Sequence, residues 1–127
     1  MPRSTSTTDQ APTPAGPYSQ HARIGSIVAA AGQVGYLPDG TLLEGVGEQT
    51  RQALNNVLAV LAAGGAGEQD IISVRVFLTD TSQFEEMNAV YESAFSEPRP
   101  ARTTVYVGLP AGLLVEIDAL AVIGDGS

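Results

Sequence analysis

Apolar and polar positions along the chain fall into short blocks of two different periods. Residues 27–31 are a compact apolar run, the signature of a buried strand, with a hairpin turn at Ile24-Gly25-Ser26 before it and Gly32-Gln33 after it. Residues 47–63 carry Leu54, Val57, Leu58 and Leu61 at i, i+3, i+4 and i+7, which predicts an amphipathic helix with Glu48, Gln49, Arg51 and Gln52 toward water. Gly64-Gly65 is placed to end that helix. The stretch 71–78 alternates, and puts Ile72, Val74, Val76 and Leu78 on one face of a strand. A second helix is predicted over 82–95, with a capping box at Ser82-Gln83-Phe84-Glu85 and an inner stripe of Phe84, Met87 and Tyr91 continuing to Ala94 or Phe95. Pro98 and Pro100 prevent its continuation. Two strands, 101–107 and 114–122, close the chain.

The order strand, strand, helix, strand, helix, strand, strand predicts an α+β layer, a mixed β-sheet with both helices packed on one face. No internal repeat is present, and 127 residues suit a single domain over 16–127. Residues 1–15, rich in Ser, Thr and Pro, are expected to be a flexible N-terminal tail. In the last strand Val115, Ile117, Ala119 and Ala121 share one face, and Leu114, Glu116, Asp118, Leu120 and Val122 the other. Arg102, Thr104 and Tyr106 alternate in the same way with Thr103, Val105 and Val107. A sheet face that mixes apolar and charged groups is suited to packing against another subunit.

Composition narrows the chemistry. There is no cysteine, hence no thiolate nucleophile and no cysteine-based metal cluster, and a lone histidine, His21, excludes a multi-histidine site. His21 is expected at the surface. All six cationic side chains are arginines, so a Schiff-base lysine and a Walker-type phosphate loop are both excluded. No dinucleotide fingerprint follows a strand; no cofactor and no metal are expected. A formal charge of −8 with scattered arginines argues against nucleic acid. No apolar run reaches the roughly 20 residues that span a bilayer, and no signal pattern opens the chain, which gives the expectation of a cytoplasmic protein without membrane contact.

Two charged residues stand out because they sit in apolar strands: Arg102 and Glu116. Such charges are costly unless paired or useful. An arginine fork matches a carboxylate, so the pair suggests a site that grips a carboxylate with an acid beside it. Read structurally, the same two residues are an ion pair at an interface. Asp118 is expected to be a solvated or paired strand charge.

Five segments carry a resemblance: Gly16-Pro17-Tyr18-Ser19-Gln20, Ala31-Gly32-Gln33, Asn88-Ala89-Val90-Tyr91, Pro100-Ala101-Arg102-Thr103-Thr104-Val105, and Leu109-Pro110 with Val115-Glu116-Ile117-Asp118-Ala119-Leu120-Ala121. Together, from about Ala15 to Val122, the chain resembles the reactive intermediate deaminase (RidA/YjgF) family. The resemblance implies a chorismate-mutase-like fold, a homotrimer with sites between subunits, and cofactor-independent hydrolysis of enamines and imines such as 2-aminoacrylate to 2-keto acids and ammonia. It makes Arg102 the carboxylate anchor and assigns site positions to Tyr18 and Glu116, with Glu116 and Tyr18 catalytic and Gly32, Thr104 and Asn88 beside the substrate. Gly35, Tyr36 and Leu37 are expected near the cleft's entrance. Two positions depart from the family's usual pattern: Ala31 where serine is common, and Thr104 where cysteine is common. The first removes a hydroxyl near the substrate and bears on substrate choice. A keto-acid-binding module, a specialised pathway member acting on a larger imine, and a ribonuclease are the alternative functions, the last disfavoured by the acidic charge and the absence of lysine.

Overall fold

The computed structural model describes residues 2–124. Five strands and two helices appear in the order expected: β1 (His21–Ile24), β2 (Ile27–Gln33), α1 (Val46–Ala63), β3 (Ile71–Leu78), α2 (Phe84–Glu92), β4 (Ala101–Tyr106) and β5 (Val115–Val122), with short 3-10 turns at Glu68–Asp70 and Thr81–Gln83. The strands form one mixed sheet in the order β1-β2-β5-β3-β4. Only β3 and β4 run parallel; the other pairings are antiparallel. The parallel pair follows from the crossover through α2, since parallel neighbours need a long connection.

One face of the sheet is covered. Val28 of β2, Val74, Val76 and Leu78 of β3, and Val115, Ile117 and Ala121 of β5 meet Ala53, Leu54, Val57, Val60 and Leu61 of α1 in a single core. Met87, Tyr91 and Phe95 join it from α2 and the turn beyond. Gly65, at φ +94°, provides the left-handed step that ends α1, and the Arg23 guanidinium donates to the Gly64 carbonyl there (2.9 Å). Asp80, rather than Ser82, caps the start of the second helical segment, accepting from the Ser82 main-chain N–H (2.9 Å). The helix itself stops at Glu92, three residues short of the expected end.

The other face is open. Ile24, Ile27, Ile72, Val105, Leu120 and Val122 lie on it, each between 36% and 52% exposed. Ile72 was expected in the core with Val74. A register shift between Ile71 and Ser73 inserts one residue opposite β5, so Ile71 turns inward and Ile72 outward. Asp118 is paired on this face with Arg75 (2.6 and 3.0 Å).

Three further expectations are corrected. The N-terminal stretch does not hang free: Ser4 bridges Arg23, Ala11 is buried, and Thr8 and Pro12 bond the Gln20 side chain. His21 is buried, packed against Gly64 at the end of α1, and burial lowers its pKa. Gln49, expected to face water, is fully buried, as is Asn56 about two turns further along the same stripe of α1.

Candidate active site

The sheet register separates the expected site residues into two groups. Arg102 pairs with Val74, which faces the helices, so Arg102 lies on the covered side. Glu116 pairs with Phe77, one step out of phase with the core pair Val76–Ile117, so Glu116 lies on the opposite side. Arg102 and Glu116 are not an ion pair in one chain; the ion pairs among the described residues are Arg51–Glu48, Arg75–Asp118 and Arg99–Glu97.

The first group surrounds a cleft of about 320 Å³, within the range of small-molecule sites, lined by Tyr18, Gly32, Val34, Tyr36 and Glu116 among others. A β-carbon on Gly32 would come 2.5 Å from a Glu116 carboxylate oxygen, so the absence of a side chain there makes room for the acid. Burial pushes the Glu116 carboxyl above its ordinary pKa, and the negative charge of Asp118 two residues on adds to the shift. The Tyr18 hydroxyl accepts from the Ala15 main-chain N–H (3.2 Å), which leaves its own proton free to donate. Of the residues expected at the entrance, Tyr36 lines the cleft; Gly35 instead packs tightly on Gln49, and Leu37 is not in the lining. Ala31 faces an adjoining groove with Pro17 and Tyr18.

The second group lies at the β4 edge. Arg102 donates to the Asn88 side-chain oxygen (2.7 Å), and its guanidinium sits over Tyr91 (4.6 Å) and Phe84 (5.7 Å). Sequence periodicity assigned those two rings to the core; they also hold the arginine flat. Its Nε and Nη2 have no protein partner among the described residues. Thr104, next on the same side of β4, has a buried hydroxyl without a partner.

What the sequence did not reveal is how the cleft is held. Three buried amides grip main chain in segments that line it. Gln49 of α1 donates to Leu43 O (2.9 Å) and Gly112 O (3.0 Å) and accepts from Leu114 N (2.9 Å), which fixes the loop before β5. Asn56 of α1 donates to Val34 O (3.2 Å) and Tyr36 O (2.8 Å). Gln20 holds the N-terminal segment at Thr8 and Pro12. The signal for two of them was present: Gln49, Ala53, Asn56 and Val60 recur at helical spacing on the buried face.

The sequence model of the family described as Endoribonuclease L-PSP matches residues 8–123, nearly the whole chain. This chain belongs to the RidA/YjgF family. Its relatives include the 2-iminobutanoate/2-iminopropanoate deaminase of Salmonella typhimurium, 41% identical over 120 residues that cover 91% of this chain and 94% of that protein. Among solved structures, RidA from the Antarctic bacterium Psychrobacter superposes with a TM-score of 0.91 at 39% identity, covering 94% of this chain and 99% of that one. Escherichia coli TdcF, crystallised with bound serine, gives 0.91 at 37% identity over 95% and 99% of the two chains. The α+β sheet with two helices is thus the fold of this RidA-family chain and of its neighbours. No helix among its described residues is long and apolar enough to cross a membrane, and no cluster of three or more candidate metal ligands occurs among them.

Proposed function

We propose that this chain hydrolyses 2-imino acids and their enamine tautomers to 2-keto acids and ammonia, at sites completed by a second copy in a homotrimer. One observation carries the reading: a half-buried carboxyl of raised pKa faces a small cleft on one side of the sheet, while an arginine with a free fork waits at the β4 edge on the other. A small imino acid cannot bridge two faces of one sheet. Joining the β4 edge of one copy to the cleft of the next brings both groups to one ligand, and the same association covers the open apolar face. The deaminase name of the Salmonella relative supports the reaction.

In this reading Arg102 binds the substrate carboxylate through two charge-assisted hydrogen bonds, with Asn88, Tyr91 and Phe84 holding its plane. Anchoring there aims the imine carbon at Glu116 and turns a loose encounter into an oriented one. Glu116 takes a proton from water as the water oxygen bonds to the imine carbon and the C=N electron pair moves to nitrogen. That proton passes to the nitrogen, giving a carbinolamine. Glu116 then removes the hydroxyl proton and delivers it to nitrogen; the C–N bond breaks, ammonia leaves, and the carbonyl forms. The raised pKa strengthens Glu116 as the group that accepts the proton and returns it. The free proton of the Tyr18 hydroxyl donates to the developing charge.

The test is keto-acid release from imines generated in situ by an amino-acid oxidase, with semicarbazide competing for free imine, for wild type and Arg102→Ala. Two charge-assisted bonds at about 1.5–3 kcal/mol each place the expected loss in the variant at roughly 100-fold or more, with the oligomer intact. Equal rates in both would remove Arg102 from the reaction. Dissociation of the variant into monomers would make the arginine a structural residue.

A further inference from the structure

One wall of the cleft is not used by the reaction above. Pro12 and Pro14 of the N-terminal segment line it together with Leu109, Pro110 and Leu113 of the loop before β5. These side chains are hydrocarbon throughout, so a molecule held at Glu116 shares the cleft with apolar surface.

Residues 8–15 belong to no helix or strand, yet they are fixed. Gln20, 2% exposed, donates to Thr8 O (3.1 Å) and Pro12 O (2.9 Å) and accepts from Thr8 N (2.8 Å). Both of its amide N–H donors are therefore committed to main chain. Buried Ala11 pins the middle of the segment, and proline rings at 12 and 14 restrict its backbone. A wall fixed before a ligand arrives incurs little ordering cost on binding.

We infer that this wall is a side-chain subsite, that it selects imino acids with a bulky apolar side chain, and that Gln20 is its positioning residue. The inference rests on the deaminase reading. With the carboxylate on Arg102 of a second copy and the imine carbon at Glu116, the substrate's third substituent lies against Pro12, Pro14 and Leu113.

The experiment compares kcat/KM for imines generated from leucine, alanine and glutamine in the semicarbazide assay. One methylene in an enclosed apolar pocket is worth about 10- to 200-fold. The leucine side chain is three carbons larger than that of alanine, but the cleft is partly open, so the leucine imine is expected to exceed the alanine imine, and the polar glutamine imine whose side chain is one bond longer, by about tenfold. In Gln20→Ala and Pro14→Ser the leucine-to-alanine ratio is expected to fall, through a raised KM for the leucine imine with kcat less affected. A wall with no role in selection would leave the ratio where it is. Pro14 is only half-buried, so Pro14→Ser carries the test if Gln20→Ala does not fold. Equal kcat/KM for the leucine and alanine imines, or preference for the glutamine imine, overturns the subsite while the deaminase reading stands. If no imine is accelerated, titration with 4-methyl-2-oxopentanoate and pyruvate separates the two claims. Tighter binding of the branched keto acid keeps the subsite and removes the reaction; equal binding removes both.

Discussion

Replacing Gly32 by alanine separates the position of Glu116 from the stability of the fold. Gly32 does not have a left-handed φ, so alanine suits the backbone itself. The difficulty is space: the new β-carbon would stand 2.5 Å from a Glu116 carboxylate oxygen, 3.0 Å from its Cδ and 3.2 Å from its Cγ. Carbon atoms in ordinary contact sit about 3.5–4.0 Å apart, so Cδ must retreat by roughly half an ångström and the oxygen by more. Gly32 lies in an irregularity of the β2–β5 ladder, between the paired residues Ala30 and Gln33 that hold the backbone on either side of it. The Glu116 side chain therefore rotates. An off-rotamer side chain costs about 0.5–1.5 kcal/mol and mild overpacking about 1–3 kcal/mol, so the expected destabilisation is about 1–2 kcal/mol. A displacement near 1 Å at a catalytic group costs about 100-fold in rate. Gly32→Ala is thus expected to lose about 100-fold in kcat for keto-acid release, and in the Glu116→Gln background to lose little more. Urea denaturation gives the stability and the semicarbazide assay the rate. A kcat within threefold of wild type would show that the Glu116 position does not matter to turnover. A stability loss above about 4 kcal/mol would make Gly32 a determinant of the fold instead.

The pH dependence follows from the causes of the Glu116 shift. Asp118 adds to burial in raising that pKa, so Asp118→Asn is expected to move the acidic limb of kcat/KM to lower pH; an unmoved limb would detach Asp118 from the site. Because the folded pKa is raised, the stability linked to protonated Glu116 is fully present below its unfolded pKa and lost as pH rises through the folded one. Wild type measured against Glu116→Gln should therefore lose relative stability across that window, and a flat difference would contradict the burial argument. Gln49→Ala strands the Leu43 and Gly112 carbonyls and the Leu114 N–H, and is expected to destabilise by about 2–4 kcal/mol in urea; a loss under 1 kcal/mol would mean that water replaces the amide.

The helices and strands were legible because their apolar spacing is strong, and Gly64-Gly65 marks the end of α1 as expected. The inward turn of Ile71 was not, since a single inserted residue reverses every face assignment before it and leaves no mark on composition. The same limit concealed the separation of Arg102 from Glu116. Alternation places a residue on one side or the other of its own strand, but only the register between β4, β3 and β5 says which sides coincide. Gln49 and Asn56 were hidden by their polarity: a pattern reading sends amides to water, whereas here each finds main-chain partners that water would otherwise satisfy.

The buried amides have a consequence for how this cleft can change over generations. Gln20, Gln49 and Asn56 hold main-chain atoms of the wall segments and no wall side chain. The frame is therefore indifferent to which residues decorate it. Substitutions at Leu109 or Leu113 can reshape the lining while the loops keep their course. A scaffold of this kind lets relatives diverge in what they accept without first surrendering the architecture that accepts it, and the same positions offer a starting library for redirecting the site by selection.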